Sequence, residues 1–458
     1  MILTSAGAAQ TVTGSCHHLE VDGLSLLIDC GLFQGGKETE ALNWEPFPFE
    51  PAGLDAVLLT HGHLDHVGRL PLLVKAGFRG PIYATAATEK ITEIILRDAA
   101  KIQGEDFKRA LRKAERSGKR AEVQEPLYTH EDVAGVMKLF RRVAFDNALD
   151  LGRGVTATYR PAGHILGSAF IEIEDSEARV IFSGDLGNRE SSLQADFTLP
   201  SACDAVIVET TYANRIHRSQ AATLAEFRDL LNRASKTGGK ILIPSFALER
   251  TQVVLYRIKE MQEAGDIPRM PVFLDSPMAA KFTRLYSDCA NEFLPGIQRE
   301  LERGGDPFEP ETMSYSVTTE QSKAINDLEG AAIIVAGSGM MTGGRILHHL
   351  KHNLWKDDTS LVVVGYQAHG TLGRRLVDGV DNVRIYGDTI PVRADVHTIG
   401  GFSAHADRDD LLAWLESTER AAVYMVHGEV NVMSDFQETL RERDRESVTV
   451  ERNKPYSL

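Results

Sequence analysis

The run HGHLDH at residues 61–66 is the feature that most restricts what this chain can fold into. It places four side chains that can bind a metal within six residues, directly after the apolar segment DAVLLT. Alternate residues of an extended segment face the same way, so His61 and His63 can share one ion. After the chain turns, Asp65 and His66 can reach a second. A cluster of polar loop residues is the alternative, but the spacing favours a metal site where a strand gives way to a helix.

The composition is that of an ordinary globular protein, with 458 residues, 43% hydrophobic and 25% charged. Nothing approaches the run of about 18 apolar residues that a membrane span needs. The first seven residues lack the features of a signal peptide. The cysteines lie far apart and form no CxxC pair, which argues against a disulfide framework or a thiolate zinc site. These features predict a cytoplasmic protein with no membrane partner.

The net charge of −15 counts against a nucleic-acid partner held by bulk electrostatics, although a local basic groove can persist within an acidic total. Residues 101–125 are densely charged with mixed sign, and we expect a solvated helix or loop there. The alternative is an arm that contacts RNA. Its basic residues are Lys108, Arg109, Arg112, Lys113, Arg116, Lys119 and Arg120.

The pattern of apolar segments predicts one domain interrupted by another. The first part is β-rich, with a hairpin signal at Asp22 and Gly23. From about 212 to 395, apolar strands alternate with helices, which indicates a parallel sheet covered by helices, and the last clear strand is 361–364. Histidine motifs resume after about 396. We therefore expect a metal-binding domain formed by 1–211 and 396–458, with an inserted α/β domain at 212–395.

The histidine run resembles the signature of the metallo-β-lactamase fold, and the rest of that ligand set follows in order. AGH at 162–164 matches the next histidine ligand, His164. FSGD at 182–185 matches the aspartate that bridges two metals, Asp185, and Asp29 matches an early aspartate that orients the site. The resemblance implies an αββα sandwich.

Three further motifs resemble those of the β-CASP nucleases, a branch of this fold that includes the endonuclease subunit of the cleavage and polyadenylation specificity factor and RNase J. ETTY at 209–212 is similar to motif A, FSAHAD at 402–407 to motif B, and VHGE at 426–429 to motif C. The interval between motifs A and B is where that branch carries its inserted β-CASP domain. With no KH-like extension seen before the first strand, we expect the short bacterial type.

The resemblance implies a set of roles. His61, His63 and His164 would bind one zinc, Asp65, His66 and His427 the other, and Asp185 would bridge them, with manganese as the alternative metal. Histidine at motif C is typical of members acting on RNA, whereas DNA-directed members commonly have valine. His397 competes with His405 for motif B but lacks the surrounding motif.

The implied reaction is hydrolysis of RNA phosphodiester bonds by a hydroxide held between two metals, leaving a 5′-phosphate and a 3′-hydroxyl. His405, oriented and kept protonated by Glu209, would protonate the leaving oxygen. A helix-capping carboxylate is the alternative role of Glu209.

The inserted domain offers candidate contacts to single-stranded RNA at its strand-to-helix turns, where α/β sheets bind ligands. The glycine-rich segment GSGMMTGGR at 337–345 would present amides at a helix N-terminus, with a plain tight turn as the alternative. A cleft between the two domains would thread the strand past the metals. The candidate substrate-binding residues are Ser245, Arg250, Ser276, Ser338, Gly339, Arg345 and His349.

Other functions fit parts of this pattern. A thioesterase or lactonase would use the same metal core but need neither the long insert nor His405. A non-catalytic subunit of an RNA-processing complex would have lost metal ligands, whereas this chain keeps all seven. DNA as the main substrate is disfavoured by His427. The balance of endonuclease and 5′ exonuclease action, the sequence preference, the oligomeric state and the protein partners stay open.

Overall fold

The computed structural model describes residues 1–117, 123–190, 193–289, 293–365, 367, 370–418 and 420–458. They divide into two compact units. Unit 1 comprises Met1–Arg189, Asp196–Ile216 and His405–Leu458, and unit 2 comprises Glu190–Ala195 and His217–Ala404. Residues 396–404, which the sequence pattern groups with the metal-binding domain, thus lie in unit 2. The predicted boundaries at 211 and 395 stay a prediction.

Unit 1 contains two seven-stranded sheets within the described residues. The first has the order β22-β1-β2-β3-β4-β5-β6, with β1 (Ile2–Gly7), β2 (Cys16–Val21), β3 (Leu24–Ile28), β4 (Ala56–Leu58), β5 (Ile82–Thr85), β6 (Phe140–Val143) and β22 (Pro455–Ser457). The second has the order β21-β20-β11-β10-β9-β8-β7, with β7 (Ala148–Gly152), β8 (Val155–Pro161), β9 (Ala169–Glu174), β10 (Arg179–Phe182), β11 (Ala205–Glu209), β20 (Ala422–Val426) and β21 (Ser447–Thr449).

The helices of unit 1 cover the outer faces of these sheets. They are α1 (Lys37–Ala41), α2 (Leu64–Val67), α3 (Leu70–Lys75), α4 (Ala86–Ser117), α5 (His130–Met137), α13 (Arg408–Leu415) and α14 (Val430–Arg441). Strand β3 shows the layering, because Leu26 and Ile28 lie in the core between the sheets whereas Leu27 packs in the core beneath α3 and α5. A third core joins Trp414 of α13 to the second sheet. Both faces of each sheet are therefore buried, and the predicted αββα sandwich is confirmed.

The predicted hairpin is also confirmed. Strands β2 and β3 pair antiparallel with Val21 opposite Leu24. The two turn residues, Asp22 and Gly23, have φ values of 46° and 71°. A two-residue turn with both φ values positive matches the twist of the flanking strands, and for this reason Asp-Gly is favoured there.

Unit 2 is built on a six-stranded sheet with the order β14-β13-β15-β12-β16-β19, all of whose described pairings are parallel. Its strands are β12 (Lys240–Pro244), β13 (Val272–Asp275), β14 (Met313–Tyr315), β15 (Ala332–Ala336), β16 (Ser360–Val363) and β19 (Asp395–Thr398), beside a hairpin of β17 (Asn382–Ile385) and β18 (Asp388–Pro391). Its helices are α6 (Gln220–Thr237), α7 (Arg250–Glu263), α8 (Pro277–Ser287), α9 (Pro295–Glu302), α10 (Thr319–Ala324), α11 (Ile346–Asn353) and α12 (Leu372–Val377). The expectation of a parallel sheet covered by helices is confirmed.

The prediction that 361–364 is the last strand of this sheet is wrong, because β19 pairs with β16 at its edge. The segment DVHT is polar and only partly buried, as edge strands commonly are, and the apolar pattern therefore does not reveal it. His397 lies on this strand opposite Val362. It is thus part of the unit 2 sheet and not of the histidine cluster.

The densely charged stretch after residue 100 continues α4, and its described side chains are mostly exposed. Lys119 and Arg120 lie outside the described residues, so the choice between a solvated helix and an RNA-contacting arm stays open. Among the helices that the structure describes, none combines the length and apolarity needed to cross a membrane.

Candidate metal centre and catalytic site

The predicted ligands meet because neighbouring strands end at the same edge. Strands β10, β11 and β20 run parallel in the second sheet, so their carboxyl ends bring Asp185, Glu209 and His427 together. In the first sheet, β3 and β4 are parallel and end at Asp29 and at the HGHLDH run. The sandwich places the two edges against each other within unit 1.

The first ligand group consists of three histidines and one aspartate. His61 Nε2 lies 3.1 Å from His63 Nδ1, and His63 Nδ1 lies 3.3 Å from His164 Nε2. Asp185 Oδ2 is 3.5 Å from His61 Nε2 and 3.6 Å from His164 Nε2. One ligand atom from each of the four lies within 4.8 Å of all the others, so the four donors converge on a single point.

The second group consists of Asp65, His66 and His427, whose ligand atoms also lie within 4.8 Å of one another. His427 Nε2 is 3.5 Å from Asp65 Oδ2. Asp185 faces this group with its other oxygen, since Oδ1 is 3.4 Å from His66 Nε2 and 3.6 Å from His427 Nδ1. Asp185 thus stands between the two groups with one carboxylate oxygen toward each.

The state of these side chains fits a metal centre. His66 Nε2, Asp185 Oδ1 and His427 Nε2 are buried and have no hydrogen-bond partner among the residues that the structure describes. Buried polar atoms are ordinarily satisfied, and divalent cations would satisfy all three. Imidazole and carboxylate donors are those that zinc prefers, and manganese accepts them as well. The donor set therefore fits a metal cofactor.

The electrostatics differ between the two ligand groups. Burial opposes protonation of His66 and His427, but nearby carboxylates, chiefly Asp185, raise the pKa of both rings, so each would release a proton on binding a metal. The first group is already suited to a metal. Burial lowers the pKa of His61 well below its usual range and that of His63 to about 4, so both rings keep a lone pair for a metal. Burial alone would raise the pKa of Asp185. His427, His66 and His61 nevertheless hold that pKa well below its ordinary value, and the carboxylate is ionised.

Asp29 lies behind His66, where the resemblance places an orienting carboxylate. Its side chain is buried and accepts hydrogen bonds from Thr60 N and Thr60 Oγ1, each at 2.8 Å. It also lies 2.7 Å from His66 Nδ1, which directs the opposite ring nitrogen toward Asp185. A carboxylate behind a ligand histidine fixes the tautomer and the direction of the ring.

His405 and Glu209 form a pair beside the ligands. His405 Nδ1 is 3.3 Å from Glu209 Oε1 and 3.9 Å from Asp185 Oδ2. Glu209 is fully buried, and its carboxylate accepts from the amides of Leu186 at 2.7 Å and Thr211 at 3.3 Å. Burial opposes protonation of His405, but Glu209 and Asp185 raise its pKa to about 9. A partly exposed imidazolium can therefore donate a proton here.

The candidate substrate-binding residues all lie in unit 2, most of them at the carboxyl ends of its strands. Ser245 follows β12 and is buried, and Arg250 is the first residue of α7. Ser276 caps α8, since its Oγ accepts from Ala279 N at 3.3 Å. Ser338 closes the glycine-rich loop on itself, because its Oγ accepts from the amides of Thr342 and Gly343. Gly339 lies in the same loop. Their contact with a substrate stays a prediction.

Arg345 and His349 belong to an internal network centred on Asp275. This fully buried carboxylate is 2.5 Å from Arg345 Nη1, 2.7 Å from His349 Nε2 and 2.5 Å from Ser322 Oγ. His349 is itself fully buried, with its other nitrogen 3.1 Å from Asn326 Oδ1. The structure thus supports a positioning role for both residues, which hold the loop at 337–345 against β13. Sequence reasoning missed the role of Asp275.

Glu249, in the turn between β12 and α7, is a buried carboxyl group with a φ of 62°. Its Oε2 accepts from Tyr286 at 2.5 Å and from Gln194 at 3.3 Å. Burial raises its pKa from 4.5 to about 7. The folded chain therefore binds this proton more tightly than the unfolded chain does.

From this shift we expect a pH-dependent stability that Glu249→Gln removes. The stabilisation is complete below the unfolded pKa and is lost as the pH rises from 4.5 to about 7. The loss would be about 3 kcal/mol at 1.4 kcal/mol per pH unit. Urea unfolding at pH 5 and pH 8 measures it, with the exposed Glu263→Gln as the control. Equal pH dependence of the Glu249 variant and the unsubstituted chain would contradict the expectation.

Three family models match the chain. The metallo-beta-lactamase superfamily model matches residues 11–234, the Beta-Casp domain model 251–376, and a model described as a Zn-dependent metallo-hydrolase RNA specificity domain 389–450. Among curated proteins, ribonuclease TTHA0252 of Thermus thermophilus is 43% identical, covering 94% of this chain and 93% of its own length. Transcription termination factor FttA of Methanocaldococcus jannaschii is 31% identical, covering 95% and 68%.

One solved structure, that of a protein of unknown function from Enterococcus faecalis V583, superposes with a TM-score of 0.58. It is 13% identical and covers 100% of this chain and 99% of its own. At this identity the likeness shows a shared fold alone.

Proposed function

Since the chain belongs to the β-CASP family of the metallo-β-lactamase superfamily, we propose that it is a metal-dependent ribonuclease that hydrolyses single-stranded RNA. The observation that carries the proposal is the pair of ligand groups facing the two oxygens of Asp185, with an imidazolium beside them. A relative that matches almost the whole chain is named a ribonuclease. The model described as an RNA specificity domain spans His405 and His427.

We assign His61, His63 and His164 to one zinc or manganese ion and Asp65, His66 and His427 to a second, with Asp185 shared. When bound, two such ions polarise the phosphoryl oxygens and lower the pKa of water. Asp29 keeps His66 directed at the centre. The ionised Asp185 and the neutral His61 and His63 are already in the protonation states that ligands need.

His405 and Glu209 act on the leaving group. Water oxygen bonds to phosphorus, the bond from phosphorus to the 3′ oxygen breaks, and that oxygen takes a proton from the imidazolium of His405. Glu209, fixed by the amides of Leu186 and Thr211, keeps the ring charged and oriented. The products are a 5′-phosphate and a 3′-hydroxyl. We propose endonucleolytic cutting, with 5′ exonuclease action as a second mode on the same centre.

The test is cleavage of a labelled single-stranded RNA and a matched DNA by the metal-loaded chain. We expect RNA-selective cutting, and a loss of about 10³-fold or more in Asp65→Ala, because the ligand groups supply several kcal/mol of transition-state stabilisation. Asp196→Ala, at an exposed position in unit 1, is the matched control and should cut like the unsubstituted chain.

A circular RNA separates the two modes, because it has no end and only an endonuclease can open it. Absence of RNA cutting by a chain shown to hold its metals would overturn the proposal and return the choice to an ester substrate or a non-catalytic subunit. Cutting that survives unchanged in Asp65→Ala would overturn the assignment of the centre.

A further inference from the structure

Phe246 is an exposed aromatic ring in a turn whose other residues are largely buried. It follows Ser245 directly after β12, and 40% of its surface is exposed, whereas Ser245 and Ala247 on either side are buried. The ring therefore contributes little to the core of unit 2. Its place is the carboxyl edge of a parallel sheet, where α/β folds bind ligands.

The ring lies against two backbones that carry no side chain. A Cβ atom on Gly339 would come within 2.6 Å of Phe246 Cδ2 and 2.7 Å of Cε2, and one on Gly365 within 3.5 Å of Cε2. These glycines follow β15 and β16, the two neighbours of β12 in the sheet. The glycine at 339 thus gives the ring its place over the middle of the sheet edge, whereas a Cβ at 365 would only touch it.

Hydrogen bonds fix the turn that carries the ring and the two backbones beneath it. The carbonyl of Phe246 accepts hydrogen bonds from Thr251 Oγ1 at 2.6 Å and from Ser245 Oγ at 3.3 Å. The buried side chain of Gln367 donates to the carbonyls of both supporting glycines, at 2.9 Å to Gly339 and 3.1 Å to Gly365. Three strand ends are therefore linked beneath one exposed aromatic side chain.

We propose that Phe246 is a stacking platform for a nucleobase of single-stranded RNA, an inference that rests on the proposed ribonuclease function. Stacking on an aromatic ring accepts every base, because each has a π face, and it suits a strand bound without sequence preference. A single ring that follows the buried Ser245 and rests against Gly339 of the glycine-rich loop is sized for one base. Protein partners bury a much broader surface.

The test measures binding without cleavage, in the full metal-treated chain carrying Asp65→Ala, with a short labelled oligouridine. Phe246→Leu, which keeps an apolar side chain but removes the π face, should weaken binding by about 5- to 150-fold, whereas Phe246→Tyr should bind normally. In Phe246→Trp, addition of the oligonucleotide should quench the fluorescence of the new tryptophan. An oligonucleotide of abasic sites should bind the Phe and Leu forms equally.

Two outcomes overturn the inference without touching the proposed function. The first is that the chain with Phe246 and the Phe246→Leu variant bind oligouridine with equal affinity. The second is that the fluorescence of Phe246→Trp does not change when the oligonucleotide is added. Both count only if the chain with Asp65 intact cuts RNA. A chain that neither binds nor cuts RNA overturns both. The Gly339→Ala variant adds an independent check, because its Cβ would displace the ring and should weaken binding as Phe246→Leu does.

Discussion

Replacing His405 with alanine is expected to lower kcat for RNA cleavage by about 10²–10⁴-fold while the metal content of the protein is unchanged. The reason is its position, because His405 stands beside Asp185 and is kept protonated by the buried Glu209, with a pKa of about 9. Single-turnover cleavage and metal analysis of the same preparation measure both quantities.

A change of leaving group tests whether the lost step is proton donation. When sulfur replaces the 3′ bridging oxygen of the substrate, the leaving group departs as a thiolate and needs little protonation. The His405→Ala variant should therefore cut this substrate at nearly the normal rate. If the variant cleaves both substrates with equally reduced rates, or if it loses its metal, then His405 acts by holding the centre together. The assignment of His405 as the proton donor would then be wrong.

Replacing Asp275 with alanine is expected to destabilise unit 2 by about 3–5 kcal/mol, the usual effect of removing one partner of a buried ion pair. The variant would leave Arg345 and the fully buried His349 without their shared acceptor. Urea unfolding of the full chain measures the change in the free energy of unfolding.

The chain offers a matched control in a surface ion pair to the same helix, α11, which carries both His349 and Lys351. Asp388 pairs with Lys351 at 2.6 Å, but the Asp388 side chain is 57% exposed, and its removal should cost less than about 1 kcal/mol. Similar losses in Asp275→Ala and Asp388→Ala would show that the buried network contributes no more than a surface pair.

The metal centre could be predicted from sequence because most of its signal is local. Four of its candidate ligands lie within six residues, and His164, Asp185 and His427 each follow a strand that the apolar pattern or a motif marks. The remaining step, which brings these ligands together, follows from the ordinary rule that neighbouring parallel strands end at the same edge of a sheet. The geometry around Asp185 follows from that rule, as does the position of Asp29 behind His66.

The roles of Arg345 and His349 could not be predicted in the same way. A glycine-rich turn followed by basic residues is equally typical of a phosphate site and of a turn held by an internal ion pair. The contact with Asp275 distinguishes the two roles, and Asp275 lies 70 residues before Arg345 in the chain. Strand β19 was not predicted for a related reason. An edge strand with partly exposed side chains has no apolar pattern, and only its pairing with β16 defines it.

The adjacency of β11 and β20 has a consequence for how the protein is made. These strands pair directly, yet the main segment of unit 2, His217–Ala404, lies between them in the chain, so Glu209 and His427 become neighbours only across 218 residues of sequence separation. Closing so long a loop costs little more free energy than closing a moderate one, but it has to wait for the distant strand. A nascent chain can therefore pair β1 to β6 before residues 217–404 are made, whereas β22 of the same sheet and the candidate ligand His427 follow only after them.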